Sequence, residues 1–196
     1  MNRDAARRLG FAWLPFAVTL AVARGRRVGK WEHLATRRVN RLPEALHGPL
    51  WLVMQSGALA APLVAGGAAI VAGRRRLAVR LVGSGLSAYL LAKVVKRVVR
   101  RGRPGQLVTG VRIRGRPATG HGYVSGHAAV SMALATEALP LFAAKARPLP
   151  IATASVVALA RLYVGAHLPL DALGGAALGW AVSRTGSELL NERSTN

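Results

Sequence analysis

Long uncharged stretches alternate with short clusters of basic residues along the 196 residues of the chain. A run of about 20 apolar residues is long enough for a helix to cross a bilayer, and a shorter or flanked run can do so when basic side chains at its ends reach the interface. Six stretches fit this description, so the pattern predicts an all-α fold, a six-helix transmembrane bundle. The six are residues 9–23, 49–73, 77–99, 128–144, 150–163 and 168–183.

The stretches differ in strength. Residues 49–73 contain no charged side chain and form the strongest predicted span. Residues 9–23 are short and contain Pro15, and the basic start before them could belong to a signal peptide. Residues 21–27 lack a cleavage context, which favours a retained first helix. Glu137 lies inside the fourth stretch and needs a partner within the bundle.

Polar segments flank and connect the predicted helices of this single domain. Residues 1–8 and 186–196 are polar tails. Residues 102–122 are rich in Gly, Pro and Arg, which predicts a loop that would cover a site at one end of the bundle. Gly175 and Gly179 are spaced for close packing of two helices, and packing within the chain is favoured over a dimer contact.

The charge is strongly one-sided. The chain has 28 Lys and Arg against 7 Asp and Glu, a formal net charge of +21, while its mean hydropathy is +0.29. A soluble nucleic-acid-binding protein would intersperse such charges, whereas here they cluster between apolar runs. We therefore expect membrane lipids, and no nucleic acid, as partners. The absence of cysteine excludes disulfides and thiolate metal sites.

Three clusters carry residues suited to phosphate. They are KRVVRRGRP at residues 96–104, YVSGH at 123–127 and RLYVGAHLPLD at 161–171. Lys96, Arg103 and Arg161 supply one ammonium and two guanidinium groups, which suit a dianionic phosphoryl group. Ser125 and Gly126 precede a helical run, whose first N–H groups and dipole can face an anion.

Two histidines and one aspartate add groups that can react. His127 and His167 can attack, or move a proton, near neutral pH. Asp171 follows His167 by four residues, and Pro169 suits the first turn of a helix, so the carboxylate can reach back to the imidazole. This arrangement is typical of a nucleophile that a carboxylate orients.

The order and spacing of these clusters resemble the three-part signature of the type 2 phosphatidic acid phosphatase superfamily. That superfamily also contains glucose-6-phosphatases and vanadium haloperoxidases. Val124 stands where the family has a proline, and Ala160 where it has a serine. Neither position carries the chemistry, so these departures concern fine substrate preference.

The resemblance implies a metal-independent phosphatase without a cofactor. His167 would attack phosphorus and form a phosphohistidine, and Asp171 would fix the tautomer of His167. His127 would protonate the leaving oxygen and later take a proton from water. The phosphate-binding residues would be Lys96, Arg103, Ser125, Gly126 and Arg161.

The same residues also have ordinary alternative roles. Lys96 and Arg103 could be the basic flank of a membrane helix, and Asp171 a first-turn carboxylate favoured by the helix dipole. Their joint spacing favours a site. A metal site is also conceivable, although the surrounding cations would repel the ion. Its ligands would be His121, His127, His167 and Asp171.

The expected substrate is a lipid phosphate or diphosphate: a polyprenyl diphosphate, phosphatidic acid or phosphatidylglycerol phosphate. Its tail could enter between helices while the head meets the arginines. The alternative function is that of a non-catalytic basic membrane protein that binds anionic lipid. Vanadate-dependent peroxidase activity is disfavoured because the relatives with that activity are soluble.

Six spans would place both termini on one side of a cell membrane and the three clusters on the other. The cluster side carries more Lys and Arg, so the positive-inside rule would put the site in the cytoplasm. Phosphate-binding arginines are retained for chemistry and weaken that count. We therefore expect a multi-pass protein with its site on the extracytoplasmic face, as is common in this family. The oligomeric state stays open.

Overall fold

The computed structural model describes residues 3–25 and 27–195, the last five of these by their backbone alone. Within these residues the chain forms helices and irregular segments and no strand, which confirms the all-α prediction. The α-helices are α1 (Arg3–Arg24), α2 (Lys30–Asn40), α3 (His47–Met54), α4 (Ala61–Val71), α5 (Arg75–Val99), α6 (Pro104–Leu107), α7 (Gly126–Ala138), α8 (Pro148–Tyr163) and α9 (Pro169–Thr195).

Helix α7 lies at the centre and contacts α5, α8 and α9, while α1 packs against α9. Gly175 and Gly179 let the backbone of α9 lie directly on α7. A Cβ atom at these positions would collide with the carbonyl oxygens of Ser125 and Ala129. The glycine pair therefore packs two helices of the same chain, as the sequence predicts, and this contact joins two of the three clusters.

Fewer helices than predicted are both long and apolar enough to cross a bilayer. Among the described residues, two segments are long and apolar enough, Arg3–Arg24 and Arg75–Leu107. Helices α7 and α8 have 13 and 16 residues, about 20 and 24 Å at 1.5 Å per residue. A hydrocarbon core is about 30 Å thick. Six full spans are therefore not confirmed, partly because a 3₁₀ turn at Leu139–Leu141 ends α7 before the predicted end of its span.

The stretch predicted as the strongest span is broken. Residues 49–73 comprise most of α3, a 3₁₀ turn at Gln55–Gly57 and α4, and the two halves are bent by 70°. At the bend, a Cβ on Gly57 would come within 2.6 Å of the carbonyl oxygen of His127. Taken together, the two bent halves are still long and apolar enough to count as one span. The uncharged composition did not reveal the bend, because the bend packs against another helix.

The polar tails extend helices. Helix α1 begins at Arg3 and α9 runs to Thr195, so most of residues 1–8 and 186–196 are helical rather than separate tails. Arg8 joins the two ends, donating from Nε and Nη2 to the Glu188 carboxylate at 2.9 and 3.0 Å. Met1, Asn2, Arg26 and Asn196 lie outside the described residues.

Glu137 has the partners within the bundle that its position requires. Arg80 donates from Nε to one carboxylate oxygen at 2.7 Å, and the hydroxyls of Ser84 and Ser183 donate to the other, each at 2.7 Å. The expectation of a buried partner is confirmed. Arg80, near the start of α5, thus pairs with Glu137 while staying partly exposed.

Candidate active site

Four helix ends meet at one face of the bundle: the C-termini of α5 and α8 and the N-termini of α7 and α9. His167 lies in the turn between α8 and α9 and is only 2% exposed. Burial lowers the pKa of His167 well below its ordinary value, and the charges of Lys96, Arg161 and Arg103 lower it further, as does His127. The imidazole is therefore neutral at neutral pH and keeps the lone pair that a nucleophile needs.

His167 and Asp171 face each other across the first turn of α9. Nδ1 of His167 is 3.7 Å from Oδ2 of Asp171, longer than a hydrogen bond, and this buried nitrogen has no hydrogen-bond partner among the described residues. Oδ2 instead accepts from the backbone N–H of Leu168 at 2.9 Å. The carboxylate thus caps the start of its own helix, whereas the distance to the imidazole, the contact that the sequence predicts, is 3.7 Å.

Asp171 is also held by an arginine that the sequence analysis did not select. Arg101 has no exposed surface and donates from Nη1 to Oδ1 of Asp171 at 3.0 Å. The same guanidinium donates to both carboxylate oxygens of the buried Glu32, at 3.1 and 2.6 Å. Glu32 in turn accepts from the N–H of Leu170 at the start of α9, at 3.2 Å. One cation therefore joins two buried carboxylates behind the imidazole.

The sequence gives weak signals for this buried network. Arg101 stands in a run of basic residues. Helix α5 ends at Val99, and the next residue, Arg100, has a φ of 51°, which turns the backbone into the left-handed region. The side chain that follows such a turn cannot be placed from helical periodicity. A stronger signal is the scarcity of acidic residues, 7 in the whole chain. In so basic a chain, each acidic residue, such as Glu32, is a good candidate for a structural or catalytic role.

The N-terminus of α7 presents fewer free N–H groups than the sequence suggests. Ser125 caps the helix, its Oγ accepting from the N–H of Ala128 at 3.4 Å, while its own N–H donates to the carbonyl oxygen of Asp171 at 2.8 Å. Among the described residues, the N–H groups of Gly126 and His127 have no acceptor outside the helix. These two donors, rather than that of Ser125, are the ones left for an anion.

His127 occupies the first turn of α7. Burial lowers its pKa to about 4, and the charges of Arg161 and Lys96 contribute to the shift. These cations therefore lie close enough to act on both histidines. A dianionic ligand among them would offset their charge and raise the pKa of His127, so protonation of this residue would be coupled to binding of an anion.

The three predicted cations differ in how they are held. Arg103 donates to the carbonyl oxygens of Ala166, Thr119 and Gly120 at 2.7, 2.7 and 3.0 Å. It thereby fixes the loop and the turn before His167, and two of its five N–H groups remain.

Arg161 and Lys96 are less engaged. Nε of Arg161 is buried without a partner among the described residues, and Nη1 lies 3.7 Å from Sδ of Met54. Nζ of Lys96 donates to the carbonyl oxygen of His121 at 3.4 Å and has no other acceptor in the described part of the chain. Buried donors without acceptors are costly, and an anion bound between these side chains would satisfy them.

The described residues contain no group of three His, Asp or Glu side chains placed to hold a metal ion. The sequence alternative of a metal site built from His121, His127, His167 and Asp171 therefore has no geometric support in this part of the chain. Both oxygens of Asp171 are already engaged by Leu168 and Arg101.

Comparison with known families and proteins agrees with the geometry. The model of the PAP2 superfamily matches residues 77–194. The chain is 33% identical over 112 residues to an undecaprenyl-diphosphatase from Sulfolobus acidocaldarius, a match that covers 56% of this chain and 53% of the relative. It is 32% identical over 134 residues to a decaprenylphosphoryl-5-phosphoribose phosphatase from Mycobacterium tuberculosis, covering 67% of each chain. The chain thus spans about half of the archaeal relative.

Two solved structures share the fold. A transmembrane PAP2-type phosphatidylglycerolphosphate phosphatase from Bacillus subtilis aligns with a TM-score of 0.74, covering 94% of this chain and 96% of that one at 17% identity. Aquifex aeolicus LpxE aligns with a TM-score of 0.69, covering 79% and 92% at 19% identity. At these identities the likeness concerns the arrangement of helices.

Proposed function

Because the chain belongs to the PAP2 superfamily, we propose that it is a metal-independent phosphatase that hydrolyses a lipid phosphate or diphosphate, with His167 as the nucleophile. The observation that carries the proposal is a buried, neutral imidazole with a carboxylate behind it and three cations around it. Such a site suits phosphoryl transfer, in which the protein positions the reactants and stabilises charge spread over the equatorial oxygens.

In the first step, Nε2 of His167 attacks phosphorus, and the bond from phosphorus to the leaving oxygen breaks. Asp171 accepts a hydrogen bond from Nδ1 once the imidazole closes the 3.7 Å gap, and it stabilises the positive ring of the phosphohistidine. Lys96, Arg103 and Arg161 bind the equatorial oxygens, together with the N–H groups at the start of α7. Arg101 and Glu32 keep Asp171 in place, because the carboxylate cannot rotate away from the imidazole without losing a buried ion pair.

His127 handles the protons. With the dianionic phosphate bound, its raised pKa lets the ring carry a proton, which it gives to the leaving oxygen. In the second step it takes a proton from water, the water oxygen bonds to phosphorus, and the bond from His167 to phosphorus breaks. Phosphate is released and both imidazoles return to their first state.

The curated relatives suggest the substrate class. Their names describe an undecaprenyl diphosphate and a decaprenylphosphoryl phosphoribose as substrates. We propose a polyprenyl substrate of this kind for the present chain, ahead of phosphatidic acid. The membrane location follows from the same reasoning: a polyprenyl tail stays in the bilayer, so the site must open at its surface. We place the site on the extracytoplasmic face of a multi-pass cell-membrane protein.

The direct test is phosphate release from a polyprenyl diphosphate by the purified, detergent-solubilised protein. His167→Ala should abolish release. The matched control is His33→Ala, which removes a partly buried histidine of α2 that lies outside the site. Release that survives His167→Ala would contradict the proposed nucleophile. The wild-type protein releasing no phosphate, but binding anionic vesicles, would support the non-catalytic alternative.

A further inference from the structure

A small polar cavity of about 270 Å³ opens beside His127. Its walls come from α3, from the loop that includes residues 113–118 and from the C-terminal end of α8. The lining includes His127 and Arg161 but, among the described residues, not His167, Lys96 or Arg103. The cavity therefore adjoins the phosphate site on the side of His127.

That position identifies which part of a substrate the cavity receives. In an in-line displacement the attacking and leaving atoms lie on opposite sides of phosphorus. The proposed nucleophile is His167, and the proposed proton donor to the leaving oxygen is His127. The leaving group must therefore extend from phosphorus into the space that His127 lines.

The cavity wall is cationic and rich in hydrogen-bonding groups. Arg116 lines it with an exposed guanidinium that makes no hydrogen bond or ion pair to another described residue. His47 lines it too, and Nδ1 of His47 is buried without a partner in the described part of the chain. Gln55 and Trp51 add an amide and an indole N–H. An alkyl chain joined directly to the scissile phosphate would meet these polar groups unfavourably.

Of the two loop arginines in this wall, Arg116 is the one whose side chain has no partner among the described residues. The neighbouring Arg114 is already engaged: it donates to Glu44 at 2.9 Å and to the carbonyl oxygens of Asn40 and Tyr163 at 2.9 and 2.8 Å. Its guanidinium also lies 4.1 Å from the centre of the Tyr163 ring. Arg114 holds the loop in place and thereby presents Arg116 to the cavity.

Resting on the proposed function, we infer that this cavity is a subsite for a second phosphate, carried by the leaving group between the scissile phosphate and the lipid tail. Its volume is below the roughly 300–1,000 Å³ of pockets for drug-sized ligands. It has room for a phosphate, or a phosphate with a small polyol, but not for a polyprenyl chain. The tail leaves past Trp51 and Leu52, which are 54% and 67% exposed on α3.

The subsite predicts discrimination between substrates with one phosphate and substrates with two. The experiment compares a short-chain polyprenyl diphosphate with the monophosphate of the same prenyl alcohol, in the same detergent. Arg116→Ala should lower kcat/KM for the diphosphate by about tenfold, the effect of losing a charge-assisted hydrogen bond. The value for the monophosphate should change less than about twofold. Arg116→Lys should recover part of the loss because it keeps the charge.

Arg112→Ala is the matched control. Arg112 is an exposed arginine of the same loop that does not line the cavity, so its removal changes the net charge equally. It should leave the ratio of the two kcat/KM values unchanged. Equal losses on both substrates in Arg116→Ala, or an equal shift of the ratio in Arg112→Ala, would overturn the subsite alone. Hydrolysis of neither substrate by the wild-type protein would overturn the proposed function, and the subsite with it.

Discussion

Arg101 donates a 3.0 Å hydrogen bond to Asp171, and neither side chain has any exposed surface. Asp171 is thus bound at Oδ1 by Arg101 and at Oδ2 by the N–H of Leu168. Nδ1 of His167 lies 3.7 Å from Oδ2. The carboxylate is fixed before a substrate binds. A small movement of the imidazole is enough to form the hydrogen bond between His167 and Asp171. This arrangement predicts separable effects of Asp171 on catalysis and of Arg101 on stability.

Asp171→Asn should lower kcat by about a thousandfold or more, with little change in KM. The amide can still accept from Leu168 but no longer stabilises a positive imidazole, and it can favour the wrong tautomer of His167. Steady-state kinetics with a soluble phosphate ester would measure both constants. Glu44→Gln is the control, since Glu44 pairs with Arg114 at 2.9 Å but is 69% exposed. An increase in KM with unchanged kcat would contradict an orienting role for Asp171.

Arg101→Met should lower the free energy of unfolding by about 3 kcal/mol or more, because it leaves Glu32 and Asp171 as buried carboxylates without their cation. Adding Glu32→Gln should restore part of that loss, since one of the two uncompensated charges disappears. Denaturant unfolding in detergent of the wild type, the two single variants and the double variant would measure this double-mutant cycle.

The exposed pair between Arg8 and Glu188 provides the comparison for this cycle. Arg8→Met should have a much smaller effect, since exposed ion pairs contribute little. Additive effects of Arg101→Met and Glu32→Gln would show that the two residues do not act as one network.

The three clusters could be found from the sequence because phosphoryl chemistry dictates their residue types. Lys96, Arg103, Arg161 and the two histidines are recognisable by kind and spacing, and the charges of the three cations act on His167 in the folded chain. The helical architecture was equally predictable, since apolar runs of this length have few alternatives.

The remaining features depend on backbone geometry that residue types do not encode. The bend at Gln55–Gly57 exists because Gly57 packs against the carbonyl of His127, a contact between segments distant in sequence. Arg101 points inward because α5 ends at Val99 and Arg100 then adopts a left-handed conformation. Hydropathy could not distinguish Arg101 from the exposed Arg97 and Arg100, which precede it in the same basic run.

The pH dependence of kcat/KM should reflect His127. With a pKa of about 4 in the free protein, its protonated fraction falls tenfold per pH unit above that value. The dianionic fraction of a phosphate substrate rises until its second pKa, about 6. The product of these two fractions is constant between about pH 4 and 6. Above pH 6 the logarithm of kcat/KM falls with a slope of about −1. His167 stays neutral through this range and therefore does not change the pH profile of kcat/KM.

Replacement of His127 tests that assignment. His127→Asn should lower the rate and remove the fall above pH 6, because no proton donor remains to titrate. The loss should be larger for an alkyl phosphate than for a nitrophenyl ester, whose leaving group needs no proton. A fall that persists in His127→Asn, or equal losses on both esters, would assign the proton to another group.

Chelators should not inhibit the protein, whereas vanadate should. In the proposed mechanism Lys96, Arg103 and Arg161 perform the charge stabilisation that a metal ion provides in other phosphatases. Five-coordinate vanadate resembles the transition state of in-line transfer. Arg161→Met should weaken vanadate inhibition by about tenfold, since it removes a half-buried guanidinium. Arg147→Met, at the exposed opposite end of α8, should not. Loss of activity in EDTA that zinc or magnesium restores would contradict a metal-independent site.

The orientation in the membrane can be decided because the chain contains no cysteine. Thr109 lies in the exposed loop at the site, and Arg76 is exposed at the start of α5. The 25 residues of α5 separate the two ends by about 37 Å. Arginines that are retained for phosphate binding do not report topology, so their number does not contradict the outward-facing site that we propose. A membrane-impermeant maleimide should then label Thr109→Cys in intact cells and Arg76→Cys only after permeabilisation. The opposite labelling would mean that the positive-inside rule holds here and that the substrate is hydrolysed at the cytoplasmic surface.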